Sequence, residues 1–345
     1  MKAVAWFADV GIEDRPTVGG KGASLGELTR VGIPVPSGFV VTTAAFEQFL
    51  KALEDREPIR SKVEALDASD MGAVTKLSEE LRARVIEEPM PAEVERAITE
   101  AHAKLCEDGQ PVAVRSSATT EDAEDASFAG LQDTFLWVLD AADMVARVRE
   151  CWGSLYSVES MTYRRKQDFP ESGVAMAVVV QRMIDARCAG VMFTRSPLTG
   201  DKSVITVEGA PGLGSAVVSG EVTPDKWVLG KITGEISDRE ISAKEAKQVP
   251  AEGGGIREIP LEGEESTQPC LSDDELMTLR EIGRKVERHY GKPQDIEWAI
   301  DKAGEVVLLQ SRPETVWANK KRDTPVKAPE DSPLKHVMSI FGGKR

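Results

Sequence analysis

The chain has 345 residues, 41% of them hydrophobic and 29% charged, the profile of an ordinary soluble globular protein with room for two lobes. A net charge of −15 argues against nucleic acid as a partner, because a phosphate backbone calls for a basic surface. The opening stretch MKAVAWFADVGIED lacks a signal-peptide core and no run approaches a membrane span, so a cytoplasmic protein without membrane contact is expected.

In chain order, residues 19–31 read as a glycine loop entering a short helix, with Leu25, Leu28 and Val31 on one face and Gly32 as its stop. Residues 33–41 (IPVPSGFVV) read as an extended strand, and Thr43 as the N-cap of a helix to about Leu53. Residues 54–108 are charged and helical in pattern. PVAVR (111–115) is a short buried strand running into a polar loop, and residues 143–169 predict one long helix with Val145, Val148, Trp152 and Leu155 facing the core. VAMAVVVQRM (174–183) and GVMFT (190–194) are β-rich, 206–220 is glycine-rich, and 225–232 predicts a strand. Residues 252–265 read as a Gly/Glu-rich surface loop. Ser272 and Glu275 form a capping box that opens a helix with Leu276, Leu279, Ile282 and Val286 inward, ended by Gly291. Residues 318–345 carry seven Lys/Arg against three Asp/Glu and predict a basic, flexible tail, a candidate docking peptide.

The stretch 294–313 (QDIEWAIDKAGEVVLLQSRP) carries the densest chemistry. Alternation places Ile296, Trp298 and Ile300 on one face and Asp295 and Glu297 on the other, and Asp301–Gly304 is turn chemistry before a second apolar strand. If Ile300 pairs with Glu305, then Glu297 lies opposite Leu308 and Asp295 opposite Gln310, with Arg312 further along that face. Two carboxylates, an amide oxygen and a guanidinium then converge, a set suited to Mg²⁺ and a nucleotide phosphate. An edge hairpin with a solvated acidic face gives the same pattern.

Other motifs are weaker alone. Gly19-Gly20-Lys21-Gly22 has the parts of a phosphate cradle but is not a Walker A, and a structural glycine turn fits equally. Arg115 at a strand end could face a triphosphate or pair with the acidic loop after it. That loop, 119–130 (TTEDAEDASFAG), suits a lid over the site or a solvated surface. GAPGLGSAVVSG (209–220) fails the dinucleotide-binding spacing. Cys106, Cys151, Cys188 and Cys270 are too scattered for a zinc set and read as buried thiols. His102, His289 and His336 form no hydrolytic triad with the residues around them.

Taken together, GGKGASLGEL, IPVPSGFVVTT, VAVRSSATTEDAEDASFAGLQDTFL, MAVVVQRM with GVMFTRSPLTGD, GLGSAVVSG, and DIEWAI followed by LLQSRPET resemble the N-terminal nucleotide-binding region of phosphoenolpyruvate synthases, pyruvate phosphate dikinases and rifampicin phosphotransferases, over about residues 5–317. The resemblance implies an α+β, ATP-grasp-type two-lobed fold: an N-terminal lobe at 1–180, a C-terminal lobe at 181–317, and the tail. It implies ATP and Mg²⁺ as cofactors. Lys21, Arg115 and Arg312 would contact phosphates and carry catalysis. Thr134 would reach a phosphate oxygen, Gln181 and Met183 would border the adenine, and Glu297 and Gln310, with Asp295 beside them, would hold Mg²⁺. Ser215 stands where the family commonly has Glu.

Full-length members continue into a domain whose histidine, in a Thr-Cys-His context, takes the phosphoryl group, and none of the three histidines here has that context. The expectation is an ATP-binding subunit of a split dikinase, similar to the arrangement in phenylphosphate synthase. It would pass a pyrophosphoryl or phosphoryl group to a histidine on a separate partner subunit, which binds the small acceptor, phenol or pyruvate. An autonomous ATP-grasp ligase or small-molecule kinase releasing ADP, and a non-catalytic nucleotide sensor, are the alternatives.

Overall fold

A computed structural model describes residues 2–119, 133–315 and 317, and the backbone of 122–123 and 126–127. The expected lid loop lies largely outside the described residues, and the basic tail wholly so.

The chain opens with β1 (Val4–Trp6), α1 (Arg15–Arg30), β2 (Gly38–Val41) and a helical run: α2 (Thr43–Glu54), α3 (Ile59–Glu64), α4 (Met71–Glu87) and α5 (Ala92–Leu105). It continues through β3 (Val112–Ala118), the short pair β4 (Asp122–Ala123) and β5 (Ala126–Ser127), β6 (Thr134–Val138), α6 (Ala141–Gly153), α7 (Val158–Lys166) and β7 (Met176–Arg182). Strands β1-β2-β7-β3-β6 form an antiparallel sheet. Helices α2–α7 cover one face, burying Phe46, Phe49 and Trp152 together, and α1 covers the other.

Residues 183–185 carry the chain to a second sheet. It is built from β8 (Ala186–Phe193), β9 (Val204–Pro211), β10 (Asp225–Gly230) and β11 (Ile236–Glu240), with α8 (Ser215–Ser219) between β9 and β10. A separate hairpin follows, β12 (Ala246–Pro250) with β13 (Ile256–Pro260), then α9 (Asp273–Tyr290) and the hairpin β14 (Gln294–Asp301) with β15 (Val306–Pro313). The order is β11-β10-β9-β8-β14-β15, again antiparallel. Helix α9 packs Leu276, Leu279 and Val286 against Trp227, Ile296 and Trp298 of this sheet. Its capping box is present, with Glu275 N–H donating to Ser272 Oγ at 3.3 Å and Ser272 N–H to Glu275 Oε2 at 2.8 Å, and Gly291 ends it at φ 67°.

Helix α1 joins the two halves. Leu25 lies in the core of the first sheet, whereas Leu28 and Ile33 enter that of the second. Ser24 Oγ donates to the Ser311 carbonyl at 2.6 Å, and Leu308 N–H donates to the Pro34 carbonyl at 2.8 Å.

Four local expectations are corrected. The 143–169 helix is broken: Ser157 leaves the helical region and its hydroxyl accepts from Ser160 N–H, capping a new helix. Helix α2 is preceded by Thr42, not Thr43, as N-cap residue, and the Thr42 hydroxyl bonds the Lys2 carbonyl instead of the helix end. The presumed loop 252–265 contains β13. The assumed β14–β15 register is replaced by Ile300 opposite Val306, with a bulge that shifts it again beyond Trp298, so that Glu297 faces Gln310 and Asp295 faces Arg312. The two single-residue shifts restore parity, and the four side chains keep one face.

Candidate functional site

Between the sheets lies a cavity of about 370 Å³. Its first wall comes from α1 (Lys21), β3 (Ala113, Arg115), β6 (Thr134, Leu136) and β7 (Gln181, Arg182). Its second comes from β8 (Ala186, Ala189, Gly190), α8 with the turn before it (Leu213, Gly214, Ser215, Val218), β14 (Glu297) and β15 (Gln310, Arg312). Met183 and Ile184 line it where the chain crosses between sheets.

Gly19 places Lys21. Its φ of 71° and ψ of 178° belong to a region essentially reserved for glycine, and they kink α1 two residues before the lysine. A Cβ there would lie 2.1 Å from the Ser117 carbonyl oxygen, so only glycine lets the kink press against β3. Ser117 Oγ accepts from Gly22 N–H at 3.2 Å and donates to the Val18 carbonyl at 2.9 Å. The glycine stretch is therefore a packed turn, with the Gly22 amide already engaged by Ser117, and it delivers the Lys21 side chain to the cavity.

Arg115 stands opposite Thr134 across the β3–β6 pairing. Its Nη1 lies 3.3 Å from Glu297 Oε2, a contact between the sheets across 182 residues of sequence. The Arg115 side chain is only 12% exposed, and its buried Nε has no hydrogen-bond partner among the described residues. A buried, fixed guanidinium with a donor to spare suits an anion. Gln181, buried on β7, donates weakly to the Pro36 carbonyl at 3.4 Å. Ser215 is hydrogen-bonded to the Gln248 side-chain oxygen on β12.

On the hairpin, Asp295 Oδ2 accepts from Arg312 Nε at 2.8 Å and lies 2.7 Å from Nη2. Burial drives the Asp295 carboxyl up from the usual range, Arg312 pulls it back, and neighbouring Glu297 and Glu314 reinforce the rise. Asp295 does not line the cavity, whereas Glu297, Gln310 and Arg312 do. Among the described residues, no group of three or more His, Cys, Asp or Glu side chains could hold a metal. The facing Glu297–Gln310 pair offers two oxygen donors, too few for a protein cage. That set fits a Mg²⁺ ion that takes its remaining ligands from water and phosphate.

The structure thus brings together Lys21, Arg115, Thr134, Gln181, Met183, Glu297, Gln310 and Arg312 and leaves Asp295 as the partner of Arg312. Sequence reasoning missed the apolar wall. Ala186, Ala189, Leu213 and Ala299 form a small cluster with Ile184, Val307 and Leu309 on the face of the second sheet opposite α9. The signal was Ala189 on β8 and Val307 and Leu309 on β15, out of phase with the core positions Cys188, Met192, Val306 and Leu308. Arg182 was also missed; its Nε donates to Gln110 at 3.1 Å and its Nη2 pairs with Asp108.

Cations and a carboxylate–amide pair lining a largely apolar cleft define the class: a domain built for a ligand with an apolar body and an anionic end. The AMP/ATP-binding domain of pyruvate phosphate dikinase matches residues 15–332, and the chain belongs to that family. It is 41% identical over 346 residues to a probable phosphoenolpyruvate synthase of Methanocaldococcus jannaschii, covering 99% of this chain and 29% of the relative. A probable phosphoenolpyruvate synthase of Archaeoglobus fulgidus is 42% identical over 342 residues, covering 98% and 45%. Rifampicin phosphotransferase from a Streptomyces species is 43% identical over 315 residues, covering 91% and 36%. The chain thus spans less than half the length of these relatives. Among the described residues, no helix is long and apolar enough to cross a membrane.

Proposed function

We propose that the cleft binds ATP with Mg²⁺ in the ATP-grasp manner, between two lobes, and hands a pyrophosphoryl or phosphoryl group to a histidine on a partner subunit, releasing AMP and phosphate. The observation that carries this reading is the convergence of Lys21, Arg115, Glu297, Gln310 and Arg312, from segments far apart in sequence, on one cavity. Lys21, Arg115 and Arg312 hold and orient the phosphates and neutralise charge spreading over them, and the apolar wall with Gln181 and Met183 seats the base and keeps water out. Glu297 and Gln310 would hold Mg²⁺, which supplies further charge neutralisation when bound.

Family membership supports a phosphotransfer role. Of the two described histidines, His102 is buried in the helical layer and His289 bonds Glu27 at 2.8 Å, and neither lines the cavity. This favours an accepting histidine supplied from elsewhere. The final acceptor in this reading is a small molecule, pyruvate or phenol, bound by the partner.

The test is to incubate the chain with ATP and Mg²⁺, with and without a histidine-bearing partner protein, and to follow AMP, ADP and acid-labile protein phosphate. AMP with phosphohistidine on the partner is expected. ADP formed by the chain alone would overturn the dikinase reading in favour of a direct kinase or ligase. A Glu297→Ala variant is expected to lose metal-dependent turnover, and full activity would remove Glu297 from the metal site.

A further inference from the structure

The hairpin β12–β13 belongs to neither large sheet, and none of its ten strand residues is buried. A second cavity, of about 540 Å³, lies between it and α8. Apart from the half-buried Ile256, which packs against the cluster of Ala186, Ala189, Leu213 and Ala299, a few discrete bonds define its place. At its root, Lys244 is fully buried, with Nζ 2.6 Å from Asp225 Oδ1 and 2.8 Å from the Gln268 carbonyl. Midway, the Gln248 carbonyl accepts from Leu213 N–H at 3.0 Å while its side chain bonds Ser215 and donates to Glu221 at 3.2 Å. Leu213 and Ser215 line the second wall of the nucleotide cavity. At the tip, Gly255 N–H donates to the Trp137 carbonyl at 3.0 Å, and Trp137 belongs to β6 of the first wall.

Both ends of that last bond have unusual backbone. Gly253, Gly254 and Gly255 all have positive φ, at 86°, 103° and 74°, a path open to glycine at little cost. Trp137 has φ 59°, one of two non-glycine residues with positive φ among those described. It sits in a β-bulge, since one residue of β3 (Ala113) faces two of β6 (Leu136 and Trp137) between the pairs Val112–Val138 and Val114–Phe135. The bulge lets Phe135 and Val138 both pack on the helical core while Thr134 and Leu136 line the cavity. A left-handed tryptophan persists only where its surroundings impose it.

We infer that the β12–β13 hairpin is a clasp between the two walls, and that Trp137 is its positioning residue on the first wall, so that clasp closure sets how long a bound nucleotide is retained. The inference rests on the proposed nucleotide site. A ligand touching Thr134 or Leu136 on one side and Leu213 or Ser215 on the other binds the clasped arrangement better, and linkage then requires that it tighten the clasp in return.

The test uses the full chain. In a variant, residues 251–255 (AEGGG) are replaced by Asn-Gly, a two-residue turn that keeps Pro250 opposite Ile256 and leaves Gln248 in register. Dissociation of a fluorescent ATP analogue with Mg²⁺ is followed by stopped flow. In parallel, hydrogen exchange of the Gly255 amide in the unaltered protein is measured with and without ATP, a reading that does not depend on the variant folding. The expected outcome is release from the variant about tenfold faster and Gly255 exchange slowed about tenfold by ATP, within the usual range of coupling between sites. If ATP binds but Gly255 exchange is unchanged and the variant releases nucleotide at the parental rate, the clasp is refuted and the nucleotide site stands. If the unaltered protein binds no ATP, both fall.

Discussion

Replacing Gly19 with Ala tests whether the kink in α1 places Lys21. Alanine at φ 71° and ψ 178° occupies a region that side-chain-bearing residues avoid, with a strain of about 1–3 kcal/mol. Its Cβ would lie 2.1 Å from the Ser117 carbonyl oxygen and 2.3 Å from its hydroxyl, so α1 must move off β3. Overpacking of that kind destabilises by a further ~1–3 kcal/mol, and the move also strains the Ser117 bonds to Gly22 and Val18. The expected loss is roughly 2–6 kcal/mol, read from urea unfolding as a lower midpoint at constant slope. Gly173 is the control: a Cβ there meets nothing within 4 Å, and Gly173→Ala should change stability by less than about 0.5 kcal/mol. Under conditions where Gly19→Ala remains folded, its ATP affinity should also fall, because Lys21 moves with the kink. A loss indistinguishable from the Gly173 control, with unchanged ATP affinity, would refute the reasoning.

Arg115→Met should weaken ATP binding by roughly 10- to 100-fold in titration calorimetry, since a hydrogen bond to a charged group contributes about 1.5–3 kcal/mol; an unchanged dissociation constant would take Arg115 out of the site. Lys244→Met leaves Asp225 charged and buried without its cation, and should lower stability by about 3–5 kcal/mol in urea titrations. Burial holds the His102 imidazole below its ordinary pKa, with Asp140 opposing, so the unfolded chain takes up a proton that the folded chain resists. Stability therefore falls as pH drops below about 6.5, the unfolded value, and the decline between about pH 7 and pH 5 should be smaller in His102→Leu; parallel curves for the two proteins would refute this.

Periodicity carried the elements whose burial is one-sided. Helix α9 was legible from Ser272, Glu275, its apolar stripe and Gly291 because capping and amphipathicity are local. The bulge in β14–β15 was not, since nothing in LLQSRP announces which residue is extra; register is decided by the fit of Trp298 and Ile300 into the core. The β12–β13 hairpin escaped notice for a related reason. Its strands bury no residue fully and only Ile256 packs on the apolar wall, so IREIP carries no clean alternation and the flanking Gly/Glu runs dominate. Of the site, the residue types on β14 and β15 could be read from alternation. The meeting of Arg115 with Glu297 could not, because it depends on how two sheets are set against each other by α1.

The Arg115–Glu297 pair also bears on how ligand enters. Glu297, only 21% exposed, supplies Arg115 with the negative charge that a phosphate oxygen would bring. Arg312 is matched in the same way by Asp295. On the proposed function, binding of a magnesium nucleotide would be an exchange of partners, in which Arg115 would turn from the Glu297 carboxylate to phosphate and Glu297 would be released to hold the metal. Each ion would leave one opposite charge for another, so much of the desolvation that such a site would impose is already met in the folded protein. Metal and nucleotide should accordingly bind as one unit, because either alone would break the pair and leave one of its members uncompensated.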